Sequence, residues 1–141
     1  MKTTTRAFAS TLAAVALFSG GAAGTASADD RTAVQSWNVR HFQGYTTGDV
    51  TFHNRSVEIT NAHVRSNIRG CVRVVLSIPR PDNSYETAER TGCSIGVGVP
   101  FRLTMPADWR GGAAYLTVDL HHVNADASTG ELLAGNRIHR P

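Results

Sequence analysis

Cys71 and Cys93 are the only thiols in the chain, and three chemistries are open to such a pair: a disulfide, a redox couple or a nucleophile. A redox couple favours the close C-x-x-C spacing, and a nucleophilic thiol needs its partner reduced and a base at hand. Neither condition is met by two cysteines this far apart in a chain that reads as exported. The pairing Cys71 to Cys93 is therefore expected to be a structural disulfide, formed in an oxidising compartment. Closing a loop of about 23 residues stabilises a fold by roughly 3 kcal/mol in the chain-entropy account.

Six histidines, His41, His53, His63, His121, His122 and His139, raise the question of a metal. His121 and His122 are neighbours in a strand-like run and point to opposite faces, so regular geometry keeps them from sharing one ion. Asp119 and His121 do share a face, and a third ligand would have to come from another strand, such as His63. No zinc-type ligand spacing is present, and neither a metal nor a cofactor is expected. Hydrolytic chemistry fares no better. There is no G-x-S-x-G elbow, and paired carboxylates of the glycosidase kind are assembled in space rather than in sequence. Gly92, Gly96 and Gly98 lack the Lys-Ser/Thr and the helix of a phosphate loop, and read instead as small residues where strands pass closely.

What remains is a row. In "AAYLTVDLHHV", Tyr115, Thr117, Asp119 and His121 fall at two-residue spacing and share an outward face. A phenol, a hydroxyl, a carboxylate and an imidazole in line are a candidate binding face, centred on Tyr115, Asp119 and His121. The competing account is a solvated face on which Asp119 pairs with an arginine such as Arg73. Trp109, in "PADWRGG", would either anchor a partner or fold back over the end of the core.

The elements that must position these residues follow a leader. Lys2 and Arg6 head an apolar run from Ala7 to Phe18, and Ala26-Ser27-Ala28 precedes Asp29, the pattern of a secretory signal cleaved between Ala28 and Asp29. The apolar run falls short of the ~20 residues a membrane span requires. Taking 28 residues from 141 leaves residues 29–141 as one mature domain of 113 with no membrane span. Its basic residues, all arginine, number 12 against 11 acidic ones, and they are scattered singly. Arginine without lysine reads as the composition of a GC-rich bacterium, and scattered arginines argue against a nucleic-acid partner.

Valine and isoleucine outnumber leucine, 17 to 6, in the mature chain, which favours strands. Strands are expected in "AVQSWNVRHF" with Trp37 and Val39 in register, in "DVTFH" (49–53), in "VEITNAHVR", in "CVRVVLSIPR", in "YETAER", in "GVPFRLTM", in "AAYLTVDLHHV" with Ala114, Leu116, Val118 and Leu120 inward, and over 132–139. One run changes phase: Val57 and Ile59 share a face, but Ala62 and Val64 fall on the other. A bulge at Thr60-Asn61 would return all four to the core.

Seven or eight short strands and no amphipathic helix predict an all-β, antiparallel β-sandwich, Ig-like in the loose sense, with a small β-barrel as runner-up. The expected function is that of a secreted, non-catalytic binding or interaction module for a macromolecule or surface glycan, in the medium or on the cell wall. A small hydrolase with a spatially assembled site and an envelope structural protein are the alternatives.

Overall fold

The computed structural model describes residues 33–141, so the expected leader and its expected Ala28–Asp29 cleavage junction lie outside the described residues. The alternating runs form eight strands: β1 (Val34–His41), β2 (Gly44–Phe52), β3 (Ser56–Ser66), β4 (Cys71–Pro79), β5 (Tyr85–Cys93), β6 (Gly98–Pro106), β7 (Tyr115–Val123) and β8 (Thr129–His139). They make two four-stranded sheets, ordered β1-β2-β3-β6 and β5-β4-β7-β8, with every strand pair antiparallel. Two separate sheets make a sandwich and exclude the barrel.

Alternation decides what fills the space between the sheets. Val72, Val74, Leu76 and Ile78 of β4 face Val57, Ile59, Ala62 and Val64 of β3 across a core completed by Trp37, Val50, Phe52, Met105, Leu116, Val118 and Leu120, all buried. The phase switch in β3 is a bulge. Register slips between Ile59 and Ala62 against β6, and between Thr47 and Asp49 against β2. Asn61 absorbs the extra residue at a φ of 48°, a left-handed conformation that asparagine tolerates better than most residues. Its Nδ2 donates to Asp49 Oδ2 at 2.9 Å. Ser36 Oγ donates to Oδ1 of the same carboxylate at 2.6 Å, and these two bonds hold Asp49 below its ordinary pKa. Opposite the bulge, a Cβ on Gly48 would collide with the Trp37 ring and with Ala62, so a glycine sits in mid-strand where the indole packs.

Three expectations need correction. β2 begins at Gly44, not Asp49; its first half, "GYTTG", lacks an apolar signal because the inward positions are Gly44, Thr46 and Gly48, with the Thr46 hydroxyl donating to the His63 carbonyl at 3.0 Å. β7 begins at Tyr115, so Ala114 is exposed and Ala113 takes the place in the core. β8 starts at Thr129 rather than Leu132, and two register shifts against β7 hide its alternation.

The outer strands are protected in different ways. β6 carries Pro100 within it and Pro106 at its end, which remove ladder donors. β5 places Glu86 and an exposed Arg90 at positions paired with the inward-facing Ile78 and Val74, charges on an edge strand that discourage pairing with another chain. Gly92, also on that side, lets β5 pass β3: a Cβ there would lie 2.8 Å from the Val64 carbonyl oxygen.

Cys71 and Cys93 form the disulfide and are direct cross-strand partners, with Cα atoms 4.2 Å apart. The bond joins neighbours within one sheet at the open end of the β4–β5 hairpin. At the opposite end of the sandwich Trp109 folds back against the core, its Nε1 donating to the Gly112 carbonyl at 2.6 Å. It is a lid, and Arg80 stacks over its ring with Cζ 5.8 Å from the centroid.

Candidate functional site

β7 lies between β4 and β8, so each of its outward side chains has a neighbour on both sides. Thr117 stands between Ser77 and Arg137, Asp119 between Val75 and Gly135, and His121 between Arg73 and Leu132. Tyr115 faces His139 on β8, and Tyr85 at the start of β5 faces Pro79 on β4. Ser77, Tyr85, Thr117, Asp119 and Arg137 line a shallow concavity of about 300 Å³. Tyr115 forms its rim: Arg137 Cζ lies 4.4 Å from the centroid of its ring. The Tyr115 hydroxyl is the main cause of a raised pKa at Tyr85.

Asp119 is the distinctive group. It is half-buried, and among the described residues no hydrogen bond or ion pair reaches its oxygens. Gly135 makes room for it, since a Cβ at that position would collide with Oδ1. Burial raises its pKa, and the nearby positive charges of His121 and Arg137 only partly oppose that shift. Arg73 is not its partner. That guanidinium pairs with Glu89 at 3.3 Å and donates to Thr91, Thr129 and the Ala127 carbonyl.

A carboxyl whose folded pKa exceeds its unfolded value favours the fold while protonated and loses that contribution as pH rises through the folded pKa. At pH 7 the ionised Asp119 therefore opposes folding relative to a neutral isostere. Asp119→Asn should melt at a higher temperature than wild type at pH 7, and the difference should close as the pH falls into the carboxylate range. Thermal melts at pH 7 and pH 3 test this. A lower melting temperature for the variant at pH 7 would reveal an internal partner.

The three face residues separate. Asp119 lines the concavity and Tyr115 stands beside it against Arg137, whereas His121 lies beyond it, with Nδ1 3.2 Å from the Gly130 carbonyl. His122 turns the other way, as its position in the strand requires, with Nδ1 3.1 Å from Gln43 Oε1. His63 is on the outer face of the other sheet, paired in register with Thr47, so it is not brought to Asp119 and His121. Among the described residues no group of three or more histidine, cysteine or acidic side chains could hold a metal.

Sequence reasoning missed Ser77, Tyr85 and Arg137 in the concavity. They come from β4, β5 and β8, and nothing local marks them, because their proximity depends on cross-strand register. It also missed a row on the outer face of the first sheet. Arg40 on β1, Tyr45 on β2 and Arg65 on β3 are successive cross-strand partners, so arginines scattered in sequence interleave with an aromatic ring in space.

No protein-family model matches the chain, and neither does any curated protein or solved structure.

Proposed function

We propose that the protein is an exported, non-catalytic binding module that presents the outer face of the β5-β4-β7-β8 sheet to a surface glycan or macromolecular partner, in the medium or on the cell wall. Asp119 carries the reading. A half-buried carboxylate without an internal partner, beside a guanidinium, two hydroxyls and two phenols, offers the polar and aromatic groups by which a sugar or a polar side chain is held. The disulfide agrees with maturation in an oxidising compartment. The concavity has one carboxylate and no imidazole in its lining, so it lacks the paired carboxylates of a glycosidase and the base that a serine nucleophile needs.

The mature protein, incubated with insoluble cell wall from its own source, should sediment with it. Tyr115→Ala combined with Asp119→Asn should weaken that capture by about tenfold or more, the loss expected for a charged hydrogen bond and an aromatic contact. His121→Ala, outside the concavity, should leave it intact. Unchanged capture by the double variant, with folding preserved, would remove this face from consideration.

A further inference from the structure

The outer face of the β1-β2-β3-β6 sheet gathers positive charge at Arg40 and Arg65, which join no ion pair among the described residues. Arg40 Cζ lies 5.4 Å and Arg65 Cζ 5.8 Å from the centroid of the Tyr45 ring. His63 meets the same ring edge-on, with centroids 5.6 Å apart. Each guanidinium is attracted to the ring but repelled by the other. The acidic groups of this sheet lie further along it: Glu58 pairs with Arg102 and His53, and Asp49 accepts from Ser36 and Asn61, neutral donors that leave it ionised. Arg40 gives its Nε to Asn38 Oδ1 at 2.8 Å, leaving its terminal nitrogens for another acceptor. Arg65 Nε is buried and meets no acceptor among the described residues.

Beside this cluster lies a depression of about 780 Å³, running from His63 and Gly98, the partner of Arg65, past Pro100 and Asn61 to Arg102. Asn38, Thr47 and Asn61 add neutral donors and acceptors to the same face, with the Asp49 carboxylate at their far side from Tyr45. Charge therefore calls for an anion, and the neutral groups suit hydroxyls. The two guanidinium groups are each within 6 Å of one centroid, so they lie less than twice that apart, within reach of acidic sugars along one chain.

We propose that this face binds an acidic polysaccharide, with Arg40 and Arg65 each forking onto a sugar carboxylate of one chain that continues along the β3–β6 depression. A nucleic acid fits less well. Both arginines lie over the Tyr45 ring and leave little of it to stack a base, and two cations fall short of the many phosphate contacts on which such binding depends. The site is on the opposite sheet from Asp119 and stands independently of the function proposed above.

Affinity electrophoresis of the mature protein through gels containing polygalacturonate, its fully methyl-esterified form, polyphosphate or a single-stranded oligonucleotide tests this. Polygalacturonate should retard the protein most strongly, and esterification should abolish the effect. Arg40→Gln with Arg65→Gln should weaken binding by about tenfold or more. Arg40→Gln alone, at an exposed side chain, should weaken it by about threefold without changing the melting temperature, which keeps the test decisive if the double variant misfolds. Asp119→Asn should bind as wild type does. Absence of retardation by polygalacturonate, retardation that survives esterification or is undiminished by Arg40→Gln, or equal binding of polyphosphate or the oligonucleotide would each overturn the proposal.

Discussion

Val64→Asp should leave the protein largely unfolded under conditions in which the wild type is native. Val64 has no exposed surface and packs beside Val57, Ile59 and Ala62 against the β4 face of the core. A carboxylate at that position would be ionised without a partner or would take up a proton at a steep penalty, a loss of more than about 4 kcal/mol. Domains of this kind have about 5–15 kcal/mol of stability in all. Val64→Ala should cost about 2 kcal/mol, the burial contribution of the missing methyl groups with the cavity they leave, and should remain measurable by urea denaturation. The pair is informative because it tests the bulge. Without Asn61 as the extra residue, Val64 would share a face with solvent-side Glu58 and Thr60, and both substitutions would cost under about 0.5 kcal/mol.

That bulge was readable in the chain because two apolar pairs, Val57 with Ile59 and Ala62 with Val64, are each in phase but out of phase with each other. Burial of all four residues requires one residue to be looped out. The strict alternation of "CVRVVLSIPR" placed β4 with the same certainty, since one buried face and one outward face leave no second solution. The first half of β2 was hidden for the converse reason. Gly44 and Gly48 face inward to admit Val72 and Trp37, so the sequence shows no side chain where the structure has a close approach. Strand order and register were hidden too, because they depend on contacts between residues distant in the chain.

The candidate binding sites divide along the same line. Period-2 spacing on one strand brought Tyr115, Thr117 and Asp119 together correctly, because successive outward residues of a single strand must share a face. It could not separate His121 from them, since that depends on the loop after β7 and the Gly130 carbonyl. Nor could it show that Arg73 is taken by Glu89 across β5, or that Arg137 and Tyr85 arrive from strands 18 and 30 residues away from Asp119 and Tyr115. Scattered arginines were a true feature of the sequence and a poor guide to the surface. Arg40 and Arg65 are 25 positions apart in the chain yet flank the same Tyr45 ring in the sheet.

Removing the disulfide should destabilise the domain by roughly 2 to 4 kcal/mol, with the loss concentrated in β5. The strand contributes little apolar surface: its inward side is Glu86, Ala88, Arg90 and Gly92, of which only Gly92 is fully buried. β5 is held mainly by its ladder to β4, by the Arg80–Ser84 turn at one end and by Cys71–Cys93 at the other. In Cys71→Ser with Cys93→Ser the turn end stays closed while the Cys93 end is free to fray. Amide exchange should accordingly quicken from Cys93 back towards Glu89, ahead of β7, whose inward residues Leu116, Val118 and Leu120 remain locked in the core. Tyr85 lies at the turn end of β5, eight residues from Cys93, so capture at the Asp119 face should persist wherever the variant is folded. A uniform rise in exchange over all eight strands would mean that β5 does not open separately, and loss of capture in the folded variant would give the cysteines a part in binding rather than in stability alone.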